Sequence, residues 1–131
     1  MDLGKIVQKD TVDVELHLPN GVALVNDDGT PMTITVHGLY SEKYRSVVEK
    51  QQADRLKRAQ RMGGKPSIDP KELRDGRTTL IVECTSSWNI TLDGKCPKCD
   101  VQTARMVYEK YPFIRDLVSD ALEEPQAFLG D

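Results

Sequence analysis

The chain has 131 residues, 38% of them apolar and 30% charged, with a net charge of −3. That length suits one domain with a buried core and is short for two, and the composition excludes both a disordered chain and a membrane-embedded one. Acids and bases are mixed along the chain, so the whole-protein field gives no reason to expect a nucleic-acid partner, and a protein partner fits better.

Three cysteines are an odd number, as expected of thiols in a reducing compartment. No apolar stretch approaches the ~20 residues of a membrane span, and Met1-Asp2-Leu3-Gly4-Lys5 leads into no signal-peptide apolar region. A cytoplasmic protein is expected.

From Val12 to Leu18 apolar and polar residues alternate without a fault, the period of a strand with one buried face. A second alternation runs from Met32 to His37 and ends at Gly38. Pro19-Asn20-Gly21 and Asn26-Asp27-Asp28-Gly29-Thr30-Pro31 are turn signals, with a short strand allowed at Val22 to Val25. These features predict an N-terminal hairpin or three-stranded meander over residues 1–38.

Ser41 can cap a helix whose next twenty residues contain neither Gly nor Pro. Tyr44, Val47, Val48, Leu56, Ala59 and Met62 mark its narrow apolar stripe. Met62-Gly63-Gly64-Lys65-Pro66 should stop it, and Ser67 or Asp69, with Pro70 in the first helical position, can start the next. That second helix is expected from about Pro70 to Ser87, burying Leu73, Leu80, Ile81, Cys84 and Trp88, with Gly76 a place where it can break.

Asp93-Gly94-Lys95 is a turn signal, and Asp100 suits the cap of a third helix with Val101, Ala104, Val107, Tyr108 and Tyr111 on one face. Pro112 fits the first turn of a fourth helix, in which Phe113, Ile114, Leu117, Val118, Ala121 and Leu122 recur at helical spacing. Glu123-Glu124-Pro125 should end it, leaving Phe128 and Leu129 as an apolar tail. The expected fold is therefore α+β and mainly helical: one domain over residues 1–131, with a small antiparallel unit at 1–38 and about four helices over 41–131.

Chemistry-bearing residues are few. Cys96-Pro97-Lys98-Cys99 has the spacing of a zinc-gripping turn, but a structural site needs two more ligands, and the remaining candidates of the usual type are Cys84, His17 and His37. Cys99 precedes a helix N-terminus, which favours a thiolate, while the adjacent Asp100 opposes one. The pair is read as incidental, with no metal or cofactor assigned. Both histidines fall at polar positions of the alternating strands, the acid pairs Asp27-Asp28 and Glu123-Glu124 make a turn and a helix end, and Gly63-Gly64-Lys65-Pro66 lacks the flanks of a phosphate-binding loop. The basic run from Arg55 to Arg61 has no interleaved aromatic residue and fits a solvated helix end. A binding protein rather than an enzyme is expected.

The chain resembles the small tail assembly chaperones of long-tailed bacteriophages and prophages. The likeness lies in the order of features: a hairpin, a basic-ended helix after Ser41, Cys84-Thr85-Ser86-Ser87-Trp88, a short loop containing Gly94, Asp100-Val101-Gln102-Thr103-Ala104-Arg105, Tyr108-Glu109-Lys110-Tyr111-Pro112-Phe113-Ile114-Arg115-Asp116 and a terminal Phe128-Leu129. Residues 80–129 resemble the family in residues, residues 1–70 in layout. The position of Cys99 is apolar or aromatic in the family, a departure shared by Cys96.

The resemblance implies a protein that binds the tape measure protein, and tail tube subunits with it, in the host cytoplasm and is absent from the mature virion. Tyr40, Tyr44, Phe113, Leu117, Phe128 and Leu129 are the candidate partner-binding residues, for each of which burial in the protein's own core is the competing account. The rival readings are a structural virion protein, such as a head-tail connector or tail completion protein, and a nucleic-acid-binding zinc module with three cysteine ligands, Cys84, Cys96 and Cys99, and one histidine.

Overall fold

A computed structural model describes residues 2–61, 63 and 69–130. Met62, Gly64 to Pro66 and Ser67, for which a stripe position, a helix stop and an alternative cap are expected, lie outside the described residues. The fold is α+β and mainly helical. In chain order it has β1 (Val7–Gln8), β2 (Thr11–Glu15), β3 (Thr33–His37), α1 (Glu42–Arg61), α2 (Pro70–Cys84), β4 (Thr85–Asn89), α3 (Val101–Lys110), α4 (Pro112–Leu122) and β5 (Leu129–Gly130).

The two alternating segments pair as expected: β2 and β3 are antiparallel, with Val14 opposite Ile34 and Val12 opposite Val36. Beyond β2 the backbone continues as a meander through isolated bridges, His17 with Ala23 and Val25 with Pro31, so residues 22–25 bridge both neighbours without forming a full strand. Gly21 and Gly29, at φ of 90° and 89°, occupy the turn positions that disfavour a side chain. Asn26 locks the second turn to the rest of the protein. Its buried side chain donates to Thr30 Oγ1 and the Asn89 carbonyl, both at 3.2 Å, and accepts from Thr91 Oγ1 at 2.6 Å.

The second helix is shorter than its apolar pattern suggests. It ends at Cys84, and Thr85–Asn89 forms β4, the third strand of an antiparallel β2-β3-β4 sheet. Thr85 Oγ1 donates to the Ile81 carbonyl at 2.8 Å and is paired at 2.7 Å with the Tyr108 hydroxyl, so the residue closes the helix and anchors the strand together. The helical part of the chain therefore returns a strand to the N-terminal unit, and residues 1–38 are not a separate layer. Gly76 does not break α2; its carbonyl accepts from Gln51 Nε2 at 2.8 Å, joining α2 to α1.

The caps fall on the expected residues. Ser41 Oγ accepts from the Tyr44 N–H at 3.1 Å, Asp69 from Lys71 N–H at 3.1 Å and Asp100 from Thr103 N–H at 2.8 Å. Helices α2 and α4 contact the sheet, α3 packs on both of them, and α1 packs on α2. One contiguous core joins Val14, Ile34 and Val36 of the sheet with Ile81, Cys84, Tyr108, Val118 and Leu122 of the helices.

Three residues expected inside are outside. Leu56 is 62% exposed, Val101 52% and Leu73 47%. Within α1 only Val47 counts as buried among the described residues, because the helix has α2 as its main neighbour and leaves most of its surface wet. The C-terminal tail closes the molecule: Pro125–Phe128 forms a 3-10 turn, Leu129–Gly130 pairs antiparallel with Val7–Gln8, and the Phe128 ring fills the space above Gly38, where a Cβ would overlap it.

Candidate functional site

The Cys-x-x-Cys segment is positioned by a tight turn. Asp93 and Gly94 both have positive φ, 52° and 85°, and the Leu92–Lys95 bridge closes a two-residue turn of the type an Asp-Gly pair favours. The chain then passes over β4, where Trp88 Nε1 donates to the Pro97 carbonyl at 2.9 Å. The segment thus has a packing role: it holds the half-buried tryptophan against the sheet.

All three cysteines are free, with Cys84 buried, Cys99 half-buried and Cys96 exposed. Burial pushes the Cys84 thiol up to about 11. Burial also raises the Cys99 thiol, and the adjacent Asp100 carboxylate and Cys96 act in the same direction. Both shifts favour the protonated thiol, which disfavours nucleophilic chemistry there. Among the described residues no three His, Cys, Asp or Glu side chains stand close enough to hold a metal ion. No helix among them is long and apolar enough to cross a membrane.

The partner-binding candidates separate into two groups. Phe128 is fully buried and belongs to the core, so it offers no surface; the apolar tail folds back because the β1–β5 pairing carries it over Gly38. Tyr40 is 38% exposed, and Tyr44, Phe113, Leu117 and Leu129 are half-buried. Phe113 stands edge-on to Tyr111, with ring centroids 6.4 Å apart. Burial raises the Tyr44 phenol pKa, with the Glu123 carboxylate adding to the rise and Arg77 opposing it.

A groove that the sequence does not foreshadow lies between α2 and α4. Leu73, Arg74, Arg77 and Ile81 line one wall and Arg115, Asp116 and Ser119 the other, around a volume of about 320 Å³. Arg77 ties the walls together: its Nε donates to Ser119 Oγ at 2.8 Å and its Nη1 meets Glu123 Oε1 at 2.6 Å. That hydrogen bond from Arg77 to Glu123 raises the guanidinium's pKa. Arg115 Nη2 lies 3.4 Å from Asp116. Arg74 makes no ion pair among the described residues.

The available signal was the spacing of Leu73, Arg77 and Ile81, which places them on one face of α2. Nothing in the sequence showed that α4 would bring Arg115 and Ser119 opposite that face. The groove has apolar carbon at Leu73 and Ile81, three arginines beside it, and the Asp116 carboxylate and Ser119 hydroxyl on its α4 wall. Apolar carbon bordered by a few convergent polar groups is the make-up of a binding surface. No family model, curated protein or solved structure matches this chain.

Proposed function

We propose that the protein is a phage or prophage tail assembly chaperone that binds the tape measure protein, with tail tube subunits as further clients, in the host cytoplasm. The observation that supports this reading is the open groove between α2 and α4, in which exposed Leu73 lies beside the arginines of both helices. A tape measure protein is a long helical chain whose apolar stripes self-associate before the tube polymerises around it. A small partner with a groove between helices can cover part of such a stripe and leave again.

The rest of the molecule suits the role. Sheet and helices share one core, so the groove walls are fixed by the fold rather than by a mobile loop. The protein acts by contact, without catalysis or cofactor. It works during morphogenesis and leaves before the particle is finished, so quantitative mass spectrometry of purified virions should find it depleted relative to the assembling cell. Stoichiometric recovery in mature particles would instead make it a connector or tail completion protein.

A further inference from the structure

We infer that the α2–α4 groove takes an acidic amphipathic helix of the client, with its apolar residues on Leu73 and its carboxylates on Arg74 and Arg115. The inference rests on the chaperone reading for the client's identity and on the groove for its chemistry. Three arginines and one aspartate line the groove; with Glu123 bound to Arg77 and Asp116 beside Arg115, the charge left over is that of Arg74, a positive site on a chain whose net charge is −3. Positive charge concentrated against the overall sign is what electrostatic complementarity with an acidic partner requires. Arginine also presents a planar fork that holds carboxylates in two-point contact, whereas a rim of lysines would bind by charge alone.

The three arginines are not equivalent. Arg77 is committed to Ser119 and Glu123 and serves as the tie that holds the walls together. Arg115 shares its charge with Asp116 at 3.4 Å, and that side chain is 25% exposed. Arg74 is exposed and without an ion pair among the described residues, so it is the primary contact for a client carboxylate. Its side chain can be altered at little structural cost, since the hydrogen bond Arg74 makes to Thr78 uses its backbone carbonyl.

The same features disfavour a single-stranded nucleic acid. Its binding sites combine a cationic track with aromatic platforms for the bases, and none of the lining residues is aromatic. A polyanion also meets the repulsion of the whole chain, while a short acidic helix engages only the groove. A second copy of this chain is the remaining occupant, and the oligomeric state reveals it.

The test is an NMR titration of the full chain with a designed helical peptide of about four turns, long enough to be marginally helical in water, carrying Leu at i, i+4 spacing and Glu on the flanks. A version with Lys for Glu and an oligothymidylate serve as competitors. The Glu peptide should shift the amides of Leu73, Arg74, Arg115, Asp116 and Ser119. R74E should weaken it about tenfold and R74E/R115E further, as expected for charge reversal at an interface rim. K98E, the same charge change outside the groove, should leave binding unchanged.

R74Q, which removes charge without reversing it, should fall between wild type and R74E, and circular dichroism should show all variants folded. Equal binding of the Lys peptide, preference for the oligothymidylate, shifts confined to other surfaces, or a concentration-dependent dimer lost in R74E would overturn the inference. Co-expression with the tape measure protein separates this inference from the function. If R74E/R115E keeps that protein soluble as well as wild type does, the groove assignment fails and the chaperone reading stands. If wild type leaves it insoluble while the Glu peptide binds, the reverse holds.

Discussion

Gly38 and Phe128 show how a single contact fixes the end of the chain. The glycine lies at the close of β3, where the Phe128 ring occupies the place a Cβ would take. Gly38→Ala must displace a buried aromatic ring, so it should destabilise the fold by about 1–3 kcal/mol, the usual cost of overpacking. Phe128→Ala should cost about 3–5 kcal/mol by leaving a cavity. Urea unfolding of the two variants checks both. A Phe128→Ala protein as stable as wild type would contradict its place in the core.

Cys84 brings a pH dependence at the same scale. Its thiol is raised from 9.0 to about 11 by burial, and burial likewise raises the phenol of Tyr108. In both groups the fold favours the protonated form. Their contribution is therefore fully present below the unfolded pKa and lost as pH rises through the folded one. Urea midpoints should fall between pH 9 and 11, and Cys84→Ser should flatten part of that fall. At neutral pH a thiol reagent should label Cys96 well before Cys84 in the native protein.

At the scale of elements, Asp100 joins the α3 cap to the cysteine turn. Its carboxylate accepts from Thr103 N–H, which lowers its own pKa, and stands beside Cys99, whose thiol it helps to raise. Asp100→Asn keeps a capping oxygen and loses the charge, whereas Asp100→Ala loses both. The melting temperature should therefore order wild type, then Asn, then Ala. Alkylation of Cys99 at neutral pH should speed up in both variants, because burial continues to hold the thiol high but the neighbouring charge is gone. An unchanged alkylation rate would mean that burial alone sets its reactivity.

The elements also show what was legible in the sequence. Strands β2 and β3 were visible because a two-residue period puts one face of a strand in the core and would scatter apolar residues around a helix, and α3 and α4 because Asp100 and Pro112 mark their starts. Strand β4 was hidden. Thr85-Ser86-Ser87-Trp88 follows α2 with no Gly or Pro between, and Trp88 continues the helical spacing of Ile81 and Cys84. Pairing with β3, far away in sequence, decides its state, with the register shifting between Thr35 and Val36 to accommodate it. The groove was hidden for the same reason. Arg77 and Ser119 are 42 positions apart, and each taken alone is an ordinary polar residue on a helix.

For the whole molecule, the partner-binding candidates drawn from the family resemblance and the groove drawn from the fold give different surfaces. Phe128 is withdrawn into the core, and Phe113 and Leu117 of α4 are half-buried against it, while Leu73 of α2 is the apolar residue that the groove leaves in water. If the proposed client helix binds in the groove, its binding should be sensitive to salt, since exposed charges are screened over a Debye length of ~8–10 Å. The apolar contact persists when those charges are screened, so binding should weaken with salt without vanishing.

The most direct test of the central claim is co-expression of the wild-type chain with the tape measure protein of the same phage or prophage, measuring how much of the latter is soluble and co-purifies. The chaperone account predicts a soluble tape measure protein that is recovered with this chain and is insoluble without it. A tape measure protein that stays insoluble, or is soluble but unbound, would contradict that account.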